Sequence, residues 1–237
     1  MANKRLLLLA TAAGVAAIVG VIVVVVAGTS GGSGATSPTT TAAGGSGGGT
    51  EARSTFTGVR QQGEILGDPA APTTLTVFED PQCPYCRQWN IDTLPTVVDR
   101  YVRTGKVKLR YRGIVIIGPN SVAGLRAIYA AGNENKLWNM VEALYERQGQ
   151  ENTDWITLPV IRDAASEIGV NGDKIISDAD SKQVTATLNA AAKEAQQDGI
   201  NGTPTFIVQK ELGRPVQLQV SSLEPDQFTP ALDAALR

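Results

Sequence analysis

The stretch FEDPQCPYC, residues 78–86, holds both cysteines of this 237-residue chain, Cys83 and Cys86, in C-x-x-C spacing. A second block, GTPTF at residues 202–206, follows far downstream. Two thiols at this spacing close a small disulfide ring when they lie in the first turn of a helix, where free backbone N–H groups and the helix dipole favour a thiolate. The stretch therefore predicts thiol-disulfide exchange, with Cys83 attacking and Cys86 resolving the mixed disulfide.

The composition excludes most other uses of the two cysteines, because the chain contains no histidine. A closed zinc site takes four ligands, mostly Cys or His, so we expect no metal. A Ser-His or Cys-His catalytic pair cannot form within the chain. The net charge of −2 and the lack of basic clusters beyond the N-terminal end predict no nucleic-acid partner. No cofactor is expected either.

The N-terminal end predicts a membrane anchor. Residues 6–27 are an apolar run that follows Lys4 and Arg5. As a helix the run spans about 33 Å, enough to cross a bilayer core of about 30 Å. It is longer than the apolar region of a cleavable signal peptide, so we predict an uncleaved transmembrane helix. The two basic residues place residues 1–5 in the cytoplasm. The expected location is therefore the cell membrane, single-pass, with the rest of the chain on the extracytoplasmic side.

Two further regions follow the predicted anchor. Residues 28–50 are almost entirely Gly, Ser, Thr and Ala, a composition that cannot bury enough apolar surface to fold. They predict a flexible linker with a root-mean-square reach of about 25 Å. Residues 51–237 fit one domain whose core needs no structural disulfide. We expect a monomer, because no heptad seam or dimerisation segment is visible.

The first half of the domain is predicted to alternate strands and helices around the cysteines. Residues 75–78 indicate a strand aimed at Cys83, and Pro84 suits the first turn of a helix. That helix should bend near Leu94-Pro95 and end at Gly105. A second strand is predicted over residues 107–117. An added strand is predicted at residues 56–59.

The second half is predicted to be a helical insertion over residues 118–202, followed by a return to strands. The periodicity and the capping residues predict four helices in the insertion, with residues 169–173 as a loop. The predicted helices cover residues 121–131, 136–147, 158–167 and 181–198. The chain then continues with strands at residues 205–208 and 216–220 and a closing helix at residues 225–236.

The two quoted blocks, in this order and separated by a helical segment of suitable length, resemble those of the DsbA-like thioredoxin-fold oxidoreductases of bacteria. The resemblance extends from Gly67 to the C-terminus, and it is more specific than an isolated C-x-x-C because three features agree. It implies an α/β, thioredoxin-like fold with an inserted helical subdomain. It also implies a cis peptide bond before Pro204, facing the disulfide.

The resemblance implies a function as well. The Cys83–Cys86 disulfide would be exchanged with exported proteins, most simply as a disulfide donor. A substrate thiolate would attack Cys83, a second substrate thiol would release it, and both cysteines would be left reduced. A quinone-linked membrane protein of the DsbB or vitamin K epoxide reductase type would then reoxidise the pair.

The active-site dipeptide, Pro84-Tyr85, departs from the Pro-His of the strongest oxidases in the resembled family. Tyr85 offers no cationic partner for a thiolate, so we predict a milder oxidant. Glu79 and Asp80 precede Cys83 and would raise the pKa of its thiol through like charge.

Two interpretations of these acids remain open, and we expect the first. Glu79 and Asp80 would be solvated loop acids, or they would transfer protons at Cys86. Many relatives in the resembled family carry a buried acid six residues before the first cysteine, where this chain has Val77. Glu79 is then the nearest candidate by sequence for the proton transfer.

Thr203 and Pro204 are predicted to form either a turn before a buried strand or a platform on which the Thr203 backbone pairs with an extended substrate. The resemblance favours the platform. Two alternative functions stay open. One is a reductase or isomerase of exported proteins. The other is a peptide-binding module in which the disulfide is merely structural.

Overall fold

A computed structural model describes residues 54–211 and 213–237. The predicted cytoplasmic N-terminus, transmembrane helix and linker therefore lie outside the described residues. Among the helices that are described, none is long and apolar enough to cross a membrane.

One six-stranded sheet organises the described residues. Its strands in chain order are β1 (Gln61–Gln62), β2 (Ile65–Leu66), β3 (Thr73–Glu79), β4 (Val107–Gly113), β5 (Thr205–Lys210) and β6 (Val216–Gln217). Their spatial order is β1-β2-β4-β3-β5-β6. β3 and β4 are parallel, and all other neighbouring pairs are antiparallel. The buried strand β3 is central, so its carboxyl end is held on both sides. Residues 80–83, here called the cysteine loop, follow this end of the strand.

The segment that joins β3 to β4 is helical, as a crossover between parallel strands requires. It consists of α1 (Pro84–Gln88), a π-helical turn (Trp89–Thr93), α2 (Leu94–Val97) and a second π-helical turn (Val98–Val102). The predicted bend corresponds to the first π-helical turn, where the Leu94 N–H donates to the Trp89 carbonyl. Pro95 explains the widening, because its ring clashes with the carbonyl four residues earlier in a regular α-helix.

Five helices form the insertion between β4 and β5. They are α3 (Ser121–Gly132), α4 (Leu137–Glu146), α5 (Leu158–Glu167), α6 (Gly172–Ala179) and α7 (Lys182–Gln197). The helical insertion is therefore confirmed, but the loop predicted at residues 169–173 extends only to Asn171, because α6, a helix that was not predicted, begins at Gly172. Asn171 caps α6 there by accepting a hydrogen bond from the Lys174 N–H at 3.0 Å. An Asn-Gly pair is typical of a turn, yet asparagine is also among the best N-cap residues.

Three strand predictions need correction. β4 ends at Gly113 rather than at residue 117, because the backbone N–H groups of Ile116 and Ile117 turn away to bind Asp80. The predicted strand at residues 56–59 is a turn, and short strands lie instead at β1 and β2. β6 covers only two of the five residues predicted. In each case the residue pattern resembles a strand, but the segment has no partner strand along its full length.

An aromatic cluster packs the cysteine helix against the last elements of the chain. The ring centre of Trp89 lies 4.8 Å from that of Phe206 in β5 and 4.5 Å from that of Phe228 in α8 (Pro225–Leu236). All three side chains are at most 2% exposed. Burying aromatic rings of this size is among the largest favourable contributions to a core. The cluster therefore fixes α1 against the strand that follows the Thr203–Pro204 loop.

Candidate active site

The two cysteines lie at the amino end of α1, where β3 gives way to a helix. Cys83 is the N-cap residue, with φ −74° and ψ 119°, and Pro84 is the first helical residue. Both cysteines are free thiols. Cys83 is 3% exposed and Cys86 is fully buried, so Cys83 is the more exposed of the two by a small margin. Tyr85 projects outward and is 63% exposed.

The Thr203–Pro204 loop faces Cys83. The peptide bond between its two residues is cis. The Cys83 thiol donates to the carbonyl oxygen of Thr203 at 3.3 Å. The hydroxyl of Thr203 is buried and has no hydrogen-bond partner among the described residues. The structure thus brings the two sequence blocks together, although 115 residues separate Cys86 from Gly202.

Hydrogen bonds to the sulfur lower the pKa of Cys83 to about 6 from a usual value of 9.0. The largest cause is the hydrogen bond from the Cys86 thiol, and burial opposes it. The Thr203 hydroxyl and the backbone N–H groups of Cys86 and Tyr85 contribute next. The Thr203 hydroxyl has no acceptor in the dithiol but becomes a donor to Cys83 once the thiolate forms. Glu79 and Asp80 were expected to raise the pKa of Cys83, but the hydrogen-bond donors to its sulfur lower that pKa overall.

Burial raises the pKa of Cys86, in contrast to Cys83. Its hydrogen bond to Cys83 and the nearby Glu79 push in the same direction. At neutral pH Cys83 is therefore largely a thiolate while Cys86 keeps its proton. This asymmetry suits an attacking thiol beside a resolving thiol.

Replacing Thr203 by valine should raise the pKa of Cys83, because it removes one donor to the thiolate at nearly constant volume. The pH dependence of Cys83 alkylation measures this, and its midpoint should move upward from about 6. Thr205→Val is the matched control, since the Thr205 hydroxyl donates to the Gly202 carbonyl at 2.7 Å. Equal midpoints in the two variants would exclude a direct effect of the Thr203 hydroxyl.

Glu79 is fully buried at the end of β3, so its interpretation as a solvated loop acid is wrong. Its Oε1 accepts a hydrogen bond from Asn90 Nδ2 at 2.9 Å, and the same nitrogen donates to the Cys86 carbonyl at 2.9 Å. Oε2 has no partner among the described residues. Burial raises the pKa of Glu79 to about 8, against the lowering effect of Asn90. Glu79 is thus mostly neutral at pH 7 and lies beside the resolving cysteine.

The position of this buried acid follows from strand geometry. Val77 and Glu79 are two residues apart on β3, and residues at this spacing share one face of a strand. A carboxyl group at residue 79 therefore lies on the face of Val77, about 7 Å further toward the cysteine loop. The chain places its buried acid nearer the end of the strand than the resembled family does.

Asp80 is also fully buried, and its carboxylate is saturated with hydrogen bonds. Oδ2 accepts from the N–H groups of Ile116 and Ile117 at 2.7 and 2.9 Å. Oδ1 accepts from the Gln82 N–H at 2.9 Å and from the Ser121 hydroxyl at 2.6 Å. Four donors on one carboxylate suit a residue that holds the loop after β4 and the start of α3 against the cysteine loop. None of these four donors belongs to Cys86.

Replacing Asp80 by asparagine should destabilise the domain by about 3 kcal/mol, since at least two donors then face an amide NH₂ group and lose their acceptor. Chemical denaturation monitored by tryptophan fluorescence measures the change. The control is Asp68→Asn, because the exposed Asp68 accepts only from the Ala70 N–H and should change stability by less than about 0.5 kcal/mol. Similar losses in both variants would show that the buried position of Asp80 is unimportant.

The insertion supports the cysteine loop through polar contacts that sequence reasoning missed. Gln148 Nε2 donates to the carbonyls of Pro81 and Cys83 at 2.9 and 3.1 Å. The Tyr145 hydroxyl donates to the Asp80 carbonyl at 3.1 Å. No local pattern marks either residue. Asn90 could have been found, since it lies four residues after Cys86 and therefore on the same helical face.

The described residues 54–211 and 213–237 contain no group of Cys, Asp or Glu side chains placed to hold a metal ion.

Comparison with known proteins places the chain in a family. A family model described as thioredoxin matches residues 60–233. The "Probable disulfide bond formation protein D" of Bacillus cereus is 28% identical over 158 residues, which are 64% of this chain and 72% of that protein. A thioredoxin-like oxidoreductase from Silicibacter pomeroyi DSS-3 is 30% identical, with a TM-score of 0.57, over 72% of this chain and 90% of that one.

A structural neighbour at lower identity has the same fold. Oxidised BdbD from Bacillus subtilis is 21% identical and superimposes with a TM-score of 0.63 over 75% of this chain and 97% of that one. The family match, the C-x-x-C at a helix start and the facing Thr203–Pro204 loop agree with one another. The chain belongs to the thioredoxin family and is a DsbA-like thiol-disulfide oxidoreductase.

Proposed function

We propose that this enzyme is an extracytoplasmic disulfide donor, which transfers the Cys83–Cys86 disulfide to exported proteins. The observation that carries the proposal is the lowered pKa of Cys83, about 6, beside the raised pKa of Cys86. A stabilised Cys83 thiolate stabilises the reduced form of the pair and makes the disulfide more oxidising. The names of the Bacillus relatives, disulfide bond formation protein D, support the same direction.

The transfer proceeds in two exchanges. A substrate thiolate attacks the Cys83 sulfur, the Cys83–Cys86 bond breaks, and Cys86 departs with the electron pair. The departing sulfur is buried, so it must be protonated, and Glu79 holds a proton beside it near neutral pH. A second substrate thiolate then attacks the substrate sulfur bound to Cys83. Cys83 leaves readily, because a thiol of low pKa is a good leaving group.

Reoxidation requires the proton to move in the opposite direction, from Cys86 to Glu79. The Cys83 thiolate attacks a disulfide of the oxidant, and Cys86 must lose its proton before it resolves the mixed disulfide. The Glu79 carboxylate receives that proton. Two electrons pass from the dithiol to the oxidant in each cycle. A membrane oxidant of the DsbB or vitamin K epoxide reductase type supplies this step.

The surface beside Cys83 is suited to unfolded polypeptides. Tyr85, Val115 and Ile116 are 63%, 43% and 40% exposed, and they are three of the five large apolar side chains that are exposed among the described residues. The N–H of Ile116 binds Asp80, three residues before Cys83. Val115 and Ile116 on one side and Tyr85 on the other therefore flank the loop that leads to Cys83. We assign these side chains to contact with apolar substrate residues and the Thr203 backbone to pairing with the substrate main chain.

The oxidant strength should be intermediate, because Tyr85 supplies no positive charge to the thiolate. The enzyme acts as a monomer in this proposal. The predicted transmembrane helix of residues 6–27 and the linker of residues 28–50 would hold it at the outer face of the cell membrane. Exported chains would then reach it soon after they cross the membrane.

The reduction potential of the full-length protein in detergent tests the proposal, through equilibration with graded glutathione buffers. A value between thioredoxin's roughly −270 mV and the about −120 mV of DsbA is expected. The oxidised protein should also oxidise a reduced, unfolded substrate. A potential at or below that of thioredoxin would instead indicate a reductase, and a pair that does not exchange would indicate a structural disulfide.

A further inference from the structure

The chain contains two Asn-Gly pairs, Asn171-Gly172 and Asn201-Gly202. In such a pair the glycine nitrogen is poorly shielded, because glycine has no Cβ, and it can attack the side-chain carbonyl carbon of the asparagine. The new C–N bond closes a five-membered imide and ammonia leaves. Water then opens the imide to aspartate or isoaspartate. One water is consumed, one ammonia is released, and nothing is oxidised or reduced.

The structure protects the first pair. Asn171 is the N-cap of α6, and its Oδ1 accepts from the Lys174 N–H at 3.0 Å. A Cβ on Gly172 would lie 2.9 Å from the Cα of Arg162, so this side of the glycine is closely packed. Turning the Asn171 side chain toward Gly172 breaks the cap. That costs about 1 kcal/mol, which makes the reactive population roughly fivefold smaller.

The second pair is unprotected. Asn201 is exposed and lies outside the helices and strands, between α7 and β5. No hydrogen bond of its side chain is found within the described part of the chain. A Cβ on Gly202 would meet nothing within 4 Å. We propose that Asn201 is a site of spontaneous deamidation, and that its conversion to aspartate and isoaspartate weakens the Cys83 site.

The second half of the proposal follows from the position of Asn201, and it rests on the proposed role of Cys83 as the attacking thiol. Asn201 lies two residues before Thr203, whose carbonyl accepts from Cys83 at 3.3 Å. Aspartate would add a negative charge about 7 Å along the chain from Thr203, which is within one Debye length at physiological salt. Like charge disfavours a thiolate. Isoaspartate also inserts a methylene group into the main chain and shifts Thr203 relative to Cys83.

Peptide mapping after incubation of the full-length protein in detergent at mildly alkaline pH tests the first half. Trypsin places the two pairs in separate peptides, residues 163–174 and 194–210. Conversion at Asn201 should be at least about fivefold faster than at Asn171. Gly202→Ala should slow it, because the added methyl group shields the attacking nitrogen without meeting other atoms. Equal rates at the two pairs, or no slowing in Gly202→Ala, would overturn the proposal.

Alkylation of Cys83 tests the second half. At pH 6, Cys83 should be alkylated more slowly in Asn201→Asp than in Asn201→Ser. Incubation at alkaline pH should likewise lower the alkylation rate of Cys83 in the wild-type protein but not in Gly202→Ala. Conversion without slower alkylation would overturn this half alone. The mass change at Asn201 is measured independently of exchange. A failure of the proposed donor function would therefore leave the deamidation result intact and be recognised separately.

Discussion

Cys83→Ser should abolish disulfide transfer, whereas Cys86→Ser should leave Cys83 reactive and trap it in mixed disulfides. The reason is the division of roles between the two sulfurs. Cys83 is the thiolate, with a pKa of about 6, and Cys86 is the buried thiol that can resolve a mixed disulfide at Cys83. Incubation with a reduced substrate and an oxidant, followed by non-reducing electrophoresis, should show covalent adducts only in Cys86→Ser.

A matched pair of variants tests the cause of the lowered pKa. The largest contribution to the shift at Cys83 is the hydrogen bond from the Cys86 side chain. A serine hydroxyl at this position can still donate to the thiolate, and an alanine cannot. The alkylation midpoint of Cys83 should therefore be higher in Cys86→Ala than in Cys86→Ser. Adducts in Cys83→Ser, or equal midpoints in the two Cys86 variants, would contradict these assignments.

Glu79→Gln should stabilise the domain by several kcal/mol above pH 8 and hardly at all near pH 4.5. Burial raises the pKa of Glu79 from 4.5 to about 8. Between these values the unfolded chain loses this proton while the folded chain keeps it. The contribution of Glu79 to stability is therefore fully present below pH 4.5 and is lost as the pH rises to about 8. At about 1.4 kcal/mol for each unit of pKa difference, the loss is at most about 5 kcal/mol.

Urea denaturation of the reduced wild-type and variant proteins at several pH values measures this difference. Cys83 titrates with the opposite sign, because its lowered pKa adds stability above pH 6. It does so in both proteins, so the comparison removes its contribution except for the part that comes from its charge coupling to Glu79. Glu224→Gln is the control, since Glu224 is exposed. An equal pH dependence in Glu79→Gln and wild type would show that Glu79 is ionised inside the folded domain.

The same substitution should slow the release of mixed disulfides, because Cys86 loses its neighbouring proton acceptor. The Asn90 amide can still donate to the glutamine oxygen, so the helix remains in place. Single-turnover reoxidation of the reduced enzyme separates formation of the mixed disulfide between Cys83 and the oxidant from its resolution by Cys86. In this direction only resolution is expected to slow, because Cys86 takes no part in the formation step. A defect confined to formation would place the function of Glu79 at Cys83 instead.

Elements with local signals were predicted well. α5 and α8 begin and end where the sequence indicates, because each has a proline in its first turn, at the second helical position of α5 and at the first of α8, and α5 has a threonine cap as well. The helix after the cysteines was also predicted, since Pro84 is compatible only with its first turn. The end of β4 was not, because the apolar residues 114–117 resemble a continuing strand. Their direction is set by Asp80, which is distant in sequence.

The burial of Glu79 and Asp80, like the end of β4, depends on residues that are distant in sequence. Charged residues are mostly exposed, so the sequence favours solvated positions for both. Their partners come from Asn90 on the cysteine helix and from the loop and helix after β4, and no local pattern reveals that these segments converge. The pKa of Glu79 depends on burial and on distances of a few ångströms, which only the folded chain defines.

The sequence by itself determined the pair of reacting thiols, their place at a helix start, and the α/β fold with a helical insertion. These depend on residue spacing, proline positions and periodicity, all of which act over a few neighbouring residues. Tertiary structure alone decided that Cys83 and Cys86 differ in pKa, that Glu79 is a buried acid beside them, and that Asp80 is a structural anchor. The physical reason is that desolvation and hydrogen bonding are set by groups brought together across the sheet, far apart along the chain.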